Sequence, residues 1–259
     1  MKPRRHVLVT GASRGIGRAI AEQFAARGCR VVVHYQKSRA AAERVLKALP
    51  GTGHVALAAD LASTPDIDRL WRHAVAALGH LDVLVNNAGT YGDHAPLATE
   101  LAEWERVWQH TLATNLVGPA HLSYLAARAM AAAGRKFAAA HGRGRIVNIS
   151  SRGAFRGEPH APAYGASKAG LNSLSQSLAL ALAPHAVYVY CIAPGWVDTD
   201  MASGYLTGPR AAEIRAQHPL GRVATAEEIA RTAVFCGLDA PATMTGSIID
   251  VNGASYLRT

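Results

Sequence analysis

The sequence predicts a doubly wound α/β fold built on a parallel seven-stranded sheet, in a single domain spanning 1–259. Three observations lead there. Short runs rich in β-branched residues alternate with Ala-rich helical segments along the 259-residue chain. The runs are apolar almost throughout rather than alternating, as strands covered on both faces are. Each gap up to the sixth run is long enough for the crossover helix that parallel neighbours require.

The first run, HVLVT at 6–10, enters a glycine-rich turn and then the helical pattern RAIAEQFAARG. RVVVHY at 30–35, HVALAA at 54–59 and LDVLVNN at 81–87 supply the next three strands, and RIVNIS at 145–150 the fifth. A helix is expected over 163–183, with Leu171, Leu174, Leu178 and Leu182 on one face and the small residues Ala166, Gly170, Ser173, Ser177 and Ala181 on another. VYVYCIA at 187–193 and SIIDV at 247–251 complete the sheet. The long stretch 194–246 is expected to lack strands and, at about 195–222, to cap a site. No linker or internal repeat interrupts the order.

Apolar residues make up 49% of the chain and charged residues 17%, which excludes disordered and fibrous classes. The net charge of +9 favours an anionic partner. Its basic residues are scattered, and no nucleic-acid module is evident. Cys29, Cys191 and Cys236 are an odd set without CxxC spacing, so a reducing, cytoplasmic setting is expected. The apolar stretch near the N-terminus, Val7 to Val9, is too short for a signal peptide, and no run is long enough for a membrane span. Twelve histidines include no HExxH or comparable cluster, so no metal is expected.

Thr10-Gly11-Ala12-Ser13-Arg14-Gly15-Ile16-Gly17 lies between the first strand and its helix. Glycines there permit a tight turn and close backbone approach, and the helix start offers free N–H groups to a pyrophosphate. Together with Asn86-Asn87-Ala88-Gly89 and Tyr164-Gly165-Ala166-Ser167-Lys168, in that order, this loop resembles the short-chain dehydrogenase/reductase family from His6 to about Gly253. The resemblance implies a Rossmann-type nicotinamide enzyme. It implies cofactor contacts from Gly11, Ser13, Arg14, Gly15, Ile16 and Gly17, from Asp60 and Leu61 at the adenine, from Asn87, Ala88 and Gly89, and from Pro194, Gly195, Val197 and Thr199 in the PGxxxT segment beside the nicotinamide.

Tyr164 and Lys168 are four apart, so a helix presents both on one face. A phenol titrates near 10, and a neighbouring ammonium together with an oxidised nicotinamide ring would lower it. The resemblance gives Tyr164 the proton exchanged with the substrate oxygen and Lys168 a further bond to the cofactor ribose. Alignment on Tyr164 assigns Ser151 to hold the substrate oxygen, while Ser150 continues the strand. Asn115, a poor helix former in mid-helix, is either a local kink or, as the resemblance implies, part of a proton relay to Lys168.

Where NAD enzymes carry a carboxylate after the second strand, this chain reads His34-Tyr35-Gln36-Lys37-Ser38-Arg39. Tyr35 and Lys37 join the expected cofactor residues, and Arg14, Lys37 and Arg39 would neutralise a 2′-phosphate, so NADP(H) is favoured over NAD(H). The reaction expected is carbonyl reduction or its reverse, with a non-catalytic nucleotide sensor as the alternative. Phe155, Trp196, Met201 and Tyr205 suit a small-molecule substrate with an apolar portion. Arg152, Arg156, Glu158 and His160 either bind a polar group or are solvated. Many relatives reduce acyl groups on a carrier protein, but where those reductases present basic residues this chain has Gly142, beside Arg143, and His185, and an insertion is expected around 134–145. The resemblance also implies a homotetramer.

Overall fold

The computed structural model describes residues 4–133 and 142–258. The sheet starts with β1 (His6–Val9), which leads into α1 (Gly15–Ala26), β2 (Arg30–Tyr35), α2 (Arg39–Ala48), β3 (Val55–Ala58), α3 (Thr64–Leu78) and β4 (Val83–Asn86). Next come α4 (Leu101–Leu112), a π-helical turn over Ala113–Val117, α5 (Gly118–Ala132), β5 (Gly144–Ile149), α6 (Gly153–Arg156), α7 (Pro162–Leu182) and β6 (Val187–Pro194). The remainder is β7 (Val197–Asp198), α8 (Ser203–Thr207), α9 (Ala211–Ala216), β8 (Ala224–Thr225), α10 (Ala226–Val234) and β9 (Ile248–Val251).

Seven strands form one parallel sheet in the order β3-β2-β1-β4-β5-β6-β9. Within β1, Val7 and Val9 point to one core and Leu8 to the other. Period-two alternation therefore persists, but both faces are buried, which is why the sequence reads as continuously apolar. Helices α1, α2 and α10 cover the first face through Ile20, Phe24, Val45 and Ile229. On the other, α3, α5 and α7 contribute Ile67, Leu70, Leu122, Met130 and Ala179.

Two expectations need correction. Residues 194–246 are not free of strands, since β7 and β8 pair in parallel, Val197 with Ala224 and Asp198 with Thr225, outside the main sheet. Two-residue strands leave no periodic signal to read. Of the insertion expected around 134–145, residues 134–141 lie outside the described residues, and Gly144 already opens β5. Cys29, Cys191 and Cys236 are buried and unpaired. Among the described residues no helix is long and apolar enough to cross a membrane.

Candidate active site

Beyond the C-terminal ends of the strands lies a cavity of about 600 Å³, and every position expected to contact the cofactor except Arg39 lines it. Its floor is the junction of the glycine turn with the end of β4. The Thr10 Oγ1 accepts the N–H groups of Asn87 at 2.9 Å and Ala88 at 3.0 Å, while Asn87 Nδ2 donates to the Thr10 carbonyl at 2.9 Å. Gly11 has φ +62°, and a Cβ there would lie 2.9 Å from the Ala88 Cα. A Cβ on Gly17 would collide with the Gly11 carbonyl oxygen, so the loop closes this tightly only with glycine.

His34 secures the loop from the side. The Gly11 N–H donates to His34 Nδ1 at 3.0 Å, and Nε2 lies 3.1 Å from the Ala59 carbonyl. A carbonyl only accepts, so the proton sits on Nε2. Burial pushes His34 down to about 4 and keeps the ring neutral.

The residues expected to carry the chemistry stand at the end of β5 and on α7. Tyr164, Lys168 and Ser151 all face the cavity. Lys168 Nζ donates to the Ile149 carbonyl at 2.8 Å and stands 5.7 Å from the centroid of the Tyr164 ring. Burial lowers Lys168 to about 8 and raises Tyr164 to about 12, against which the Ser151 hydroxyl at the phenol acts as a smaller, lowering influence. The expected lowering of Tyr164 by its lysine is thus reversed in the chain itself, because loss of solvent outweighs the polar neighbours. Ser151 Oγ also accepts the Gly153 N–H at 3.0 Å. Ser150 instead donates its hydroxyl to the Lys168 carbonyl at 3.3 Å and its N–H to Ile192 at 2.7 Å, extending the β5–β6 ladder.

Asn115 sits in the π-helical turn, fully buried and behind the cavity wall. Its Oδ1 accepts the Thr90 N–H at 2.8 Å, and its Nδ2 donates to the Thr90 carbonyl at 2.9 Å and to Ser167 Oγ at 3.2 Å. The side chain thereby ties the loop after β4 to α7.

Opposite Tyr164 is an aromatic wall whose hub, Tyr91, sequence reasoning missed. Its ring meets Tyr164 edge-on at 5.0 Å, Tyr205 at 5.6 Å and Trp196 at 6.5 Å. The one available signal was its place two residues after the NNAG segment. Trp196, Met201 and Tyr205 line the cavity as expected, whereas Phe155 lies outside it with Arg258 stacked 4.3 Å from its ring centroid. Arg152 is 2% exposed and donates to Gln217 Oε1 at 2.8 Å, so it is built into the wall rather than solvated. Glu158 lines the cavity, with Arg156 3.7 Å away, while His160 is exposed outside it. Arg14 and Lys37 are exposed on the cavity rim, but Arg39 pairs with Glu43 at 2.7 Å and does not reach it.

Residues 11–254 match the family model described as enoyl-(acyl carrier protein) reductase. The 3-oxoacyl-[acyl-carrier-protein] reductase FabG of Escherichia coli K12 is 36% identical over 253 residues, 96% of each chain. The chain belongs to the short-chain dehydrogenase/reductase family. It is a nicotinamide-dependent oxidoreductase acting between CH–OH and C=O groups. The cis-4-hydroxycyclohexanecarboxylate dehydrogenase of Sinomonas cyclohexanicum is 36% identical over 252 residues, 96% of this chain and 95% of that one. A putative NAD(P)-dependent gluconate 5-dehydrogenase from Beutenbergia cavernae, solved with bound NADP, superposes with a TM-score of 0.83 at 35% identity, covering 97% of this chain and 96% of that one.

The residues present fit the dinucleotide that short-chain dehydrogenase/reductases use. Helix α1 has no side-chain cap and no acidic residue in its first turn, so its N–H groups and positive dipole end remain open toward the cavity. By contrast, α10 closes its own N-terminus with a Thr225/Glu228 capping box. An open helix end of this kind is suited to an anion such as a pyrophosphate.

Proposed function

We propose that the protein reduces the carbonyl of a small molecule to a secondary alcohol, or catalyses the reverse, with NADP(H) preferred over NAD(H). The observation that carries this reading is the meeting of Ser151, Tyr164 and Lys168 on one wall of the cavity that the glycine turn floors. Gly11, Ser13, Gly15, Ile16 and Gly17 would hold the pyrophosphate, Arg14, Tyr35 and Lys37 the phosphorylated ribose, and Asp60 and Leu61 the adenine. Asn87, Ala88, Gly89, Pro194, Gly195, Val197 and Thr199 would enclose the remainder. When bound, the dinucleotide supplies or removes the hydride.

Ser151 holds the substrate oxygen through its hydroxyl, and Tyr164 delivers a proton to that oxygen as the carbonyl carbon is reduced. A phenol held near 12 remains protonated at neutral pH, the state a proton donor requires. Lys168 binds the ribose and stabilises charge at the phenol, and Asn115 acts as a positioning residue through Thr90 and Ser167. The segment 195–222 caps the substrate. Tyr91, Trp196 and Tyr205 favour a compound with a flat or apolar portion, and Glu158 favours a hydrogen-bond donor over a carboxylate beside it. A carrier-protein substrate has less support, because Gly142, beside Arg143, and His185 stand where carrier-protein reductases present basic residues. A cytoplasmic location and a homotetramer complete the proposal.

The test is NADPH consumption over a panel of ketones, ketoacyl thioesters, quinones and sugars. Tyr164→Phe should bind NADPH by fluorescence yet lose turnover by orders of magnitude, and Ser151→Ala should lose far more than Ser150→Ala. Undiminished turnover in Tyr164→Phe would overturn the assignment. A wild type that binds NADPH but turns over nothing in the panel would favour the sensor.

A further inference from the structure

We propose that His6, His80 and Asp82 form a binding site for a divalent transition cation of the zinc type, at the end of the sheet opposite the cofactor cavity. His6 opens β1 and Asp82 immediately precedes β4, whereas the cavity lies beyond the other ends of these parallel strands. One ligand atom from each of the three side chains lies within 4.8 Å of the other two. His80 Nε2 is 3.2 Å from Asp82 Oδ2, and the two imidazole rings stand 4.2 Å apart between centroids.

The surrounding bonds orient these groups as ligands. His6 Nδ1 lies 3.2 Å from the His80 carbonyl, which only accepts, so Nδ1 carries the proton and Nε2 the lone pair. Imidazoles that bind metals are held in this way, by a carbonyl or carboxylate on the far ring nitrogen. The Asp82 carboxylate is held by the His6 N–H at 2.8 Å, and its main chain by the His6 carbonyl at 2.8 Å and the Arg145 N–H at 3.0 Å. Asp82 is 2% and His6 8% exposed, so neither is a loose surface group, while the His80 side chain is 26% exposed and gives a cation its way in.

Ligand chemistry selects the ion. Two imidazoles and one carboxylate suit zinc with a fourth position for water, whereas magnesium and calcium demand oxygen ligands. Ligand atoms about 2.0–2.1 Å from a tetrahedral zinc stand about 3.3 Å apart, a spacing His80 Nε2 and Asp82 Oδ2 already have at 3.2 Å, so it is the spacing to His6, within 4.8 Å, that has to close. Arg30 lies near enough to His6 to act on it electrostatically and opposes a cation, which weakens the site. A bound ion would clamp the start of β1 to the start of β4. No spacing motif announces the site, because His6 lies 74 positions from His80 and only the pairing of β1 with β4 unites them.

The experiment is calorimetric titration of zinc sulfate into the full-length, chelator-treated protein, with magnesium as control. One equivalent of zinc should bind, raise the melting temperature, and give an X-ray absorption spectrum with about 2.0–2.1 Å nitrogen and oxygen scatterers and no sulfur. His80→Ala, checked as folded by circular dichroism and NADPH binding, should weaken zinc at least tenfold, while His73→Ala on the exposed face of α3 should not. His6→Gln provides a second arm should His80→Ala be unstable. Absence of stoichiometric zinc, sulfur scatterers, or full zinc binding in the His80 and His6 variants would each overturn the proposal.

Discussion

Lys168 is 4% exposed, and its ammonium donates to the Ile149 carbonyl from a place where burial lowers its pKa to about 8. Since the neighbouring phenol is held near 12, the lysine is the group of the pair that changes charge first as pH rises. If, as proposed, reduction uses the cationic lysine, kcat/KM should be level below pH 8 and fall about tenfold per unit above it. In Lys168→Arg the guanidinium keeps its charge, and the limb should move upward even as the maximum rate drops; a limb at the same pH in both proteins would assign it to another group. The Tyr164–Lys168 pair was legible in the sequence because four residues on a helix is local geometry. Tyr91, His34 and Arg152 were not, since their roles arise where separate strand ends converge.

In the proposed reading, helix α1 and the end of β2 together decide which dinucleotide is held. The helix start offers bare N–H groups, and the chain after β2 puts Gln36, Lys37 and Ser38 on the cavity without a carboxylate. Arg39 is engaged with Glu43, leaving Arg14 and Lys37 as the cations for a 2′-phosphate. Replacing Lys37 with Asp should therefore shift preference from NADPH toward NADH by about 1–3 kcal/mol, measured as the ratio of the two dissociation constants. Equal wild-type affinity for both would refute it. The seven sheet strands were readable to within two residues, because burial on both faces leaves unbroken apolar runs. Pairing between β7 and β8 and the π-helical turn at Asn115 were not readable as structure, the first for its brevity and the second because a single poor helix former also fits a kink.

Across the whole molecule, buried histidines make the fold sensitive to acid. Desolvation lowers His34 to about 4 and also depresses His54 and His218. Between pH 6.5 and 4 the unfolded chain thus binds more protons than the folded one, so the stability is present above 6.5 and is lost as pH falls toward 4. His34 alone accounts for about 3 kcal/mol. Denaturant unfolding at pH 7 and 4.5 should record that loss, with a smaller one in His34→Gln. Assembly is the other property of the whole. The outer face of α7 exposes Ala166, Ser173, Ser177 and Ala181 beside Leu180, which is 81% exposed, and the neighbouring α5 exposes Tyr124 at 57%. Leu101 at the start of α4 is 70% exposed and Val117 between α4 and α5 is 45% exposed. Small side chains let helices approach closely, and a two-fold axis would bring each such face against its own copy. Light scattering should therefore give four times the 27.2 kDa chain mass at micromolar concentration, and Ser173→Arg, which leaves the buried face of α7 intact, should lower it. A monomeric wild type would defeat the proposed assembly and leave the placement of Ser151, Tyr164 and Lys168 on the cavity as it is.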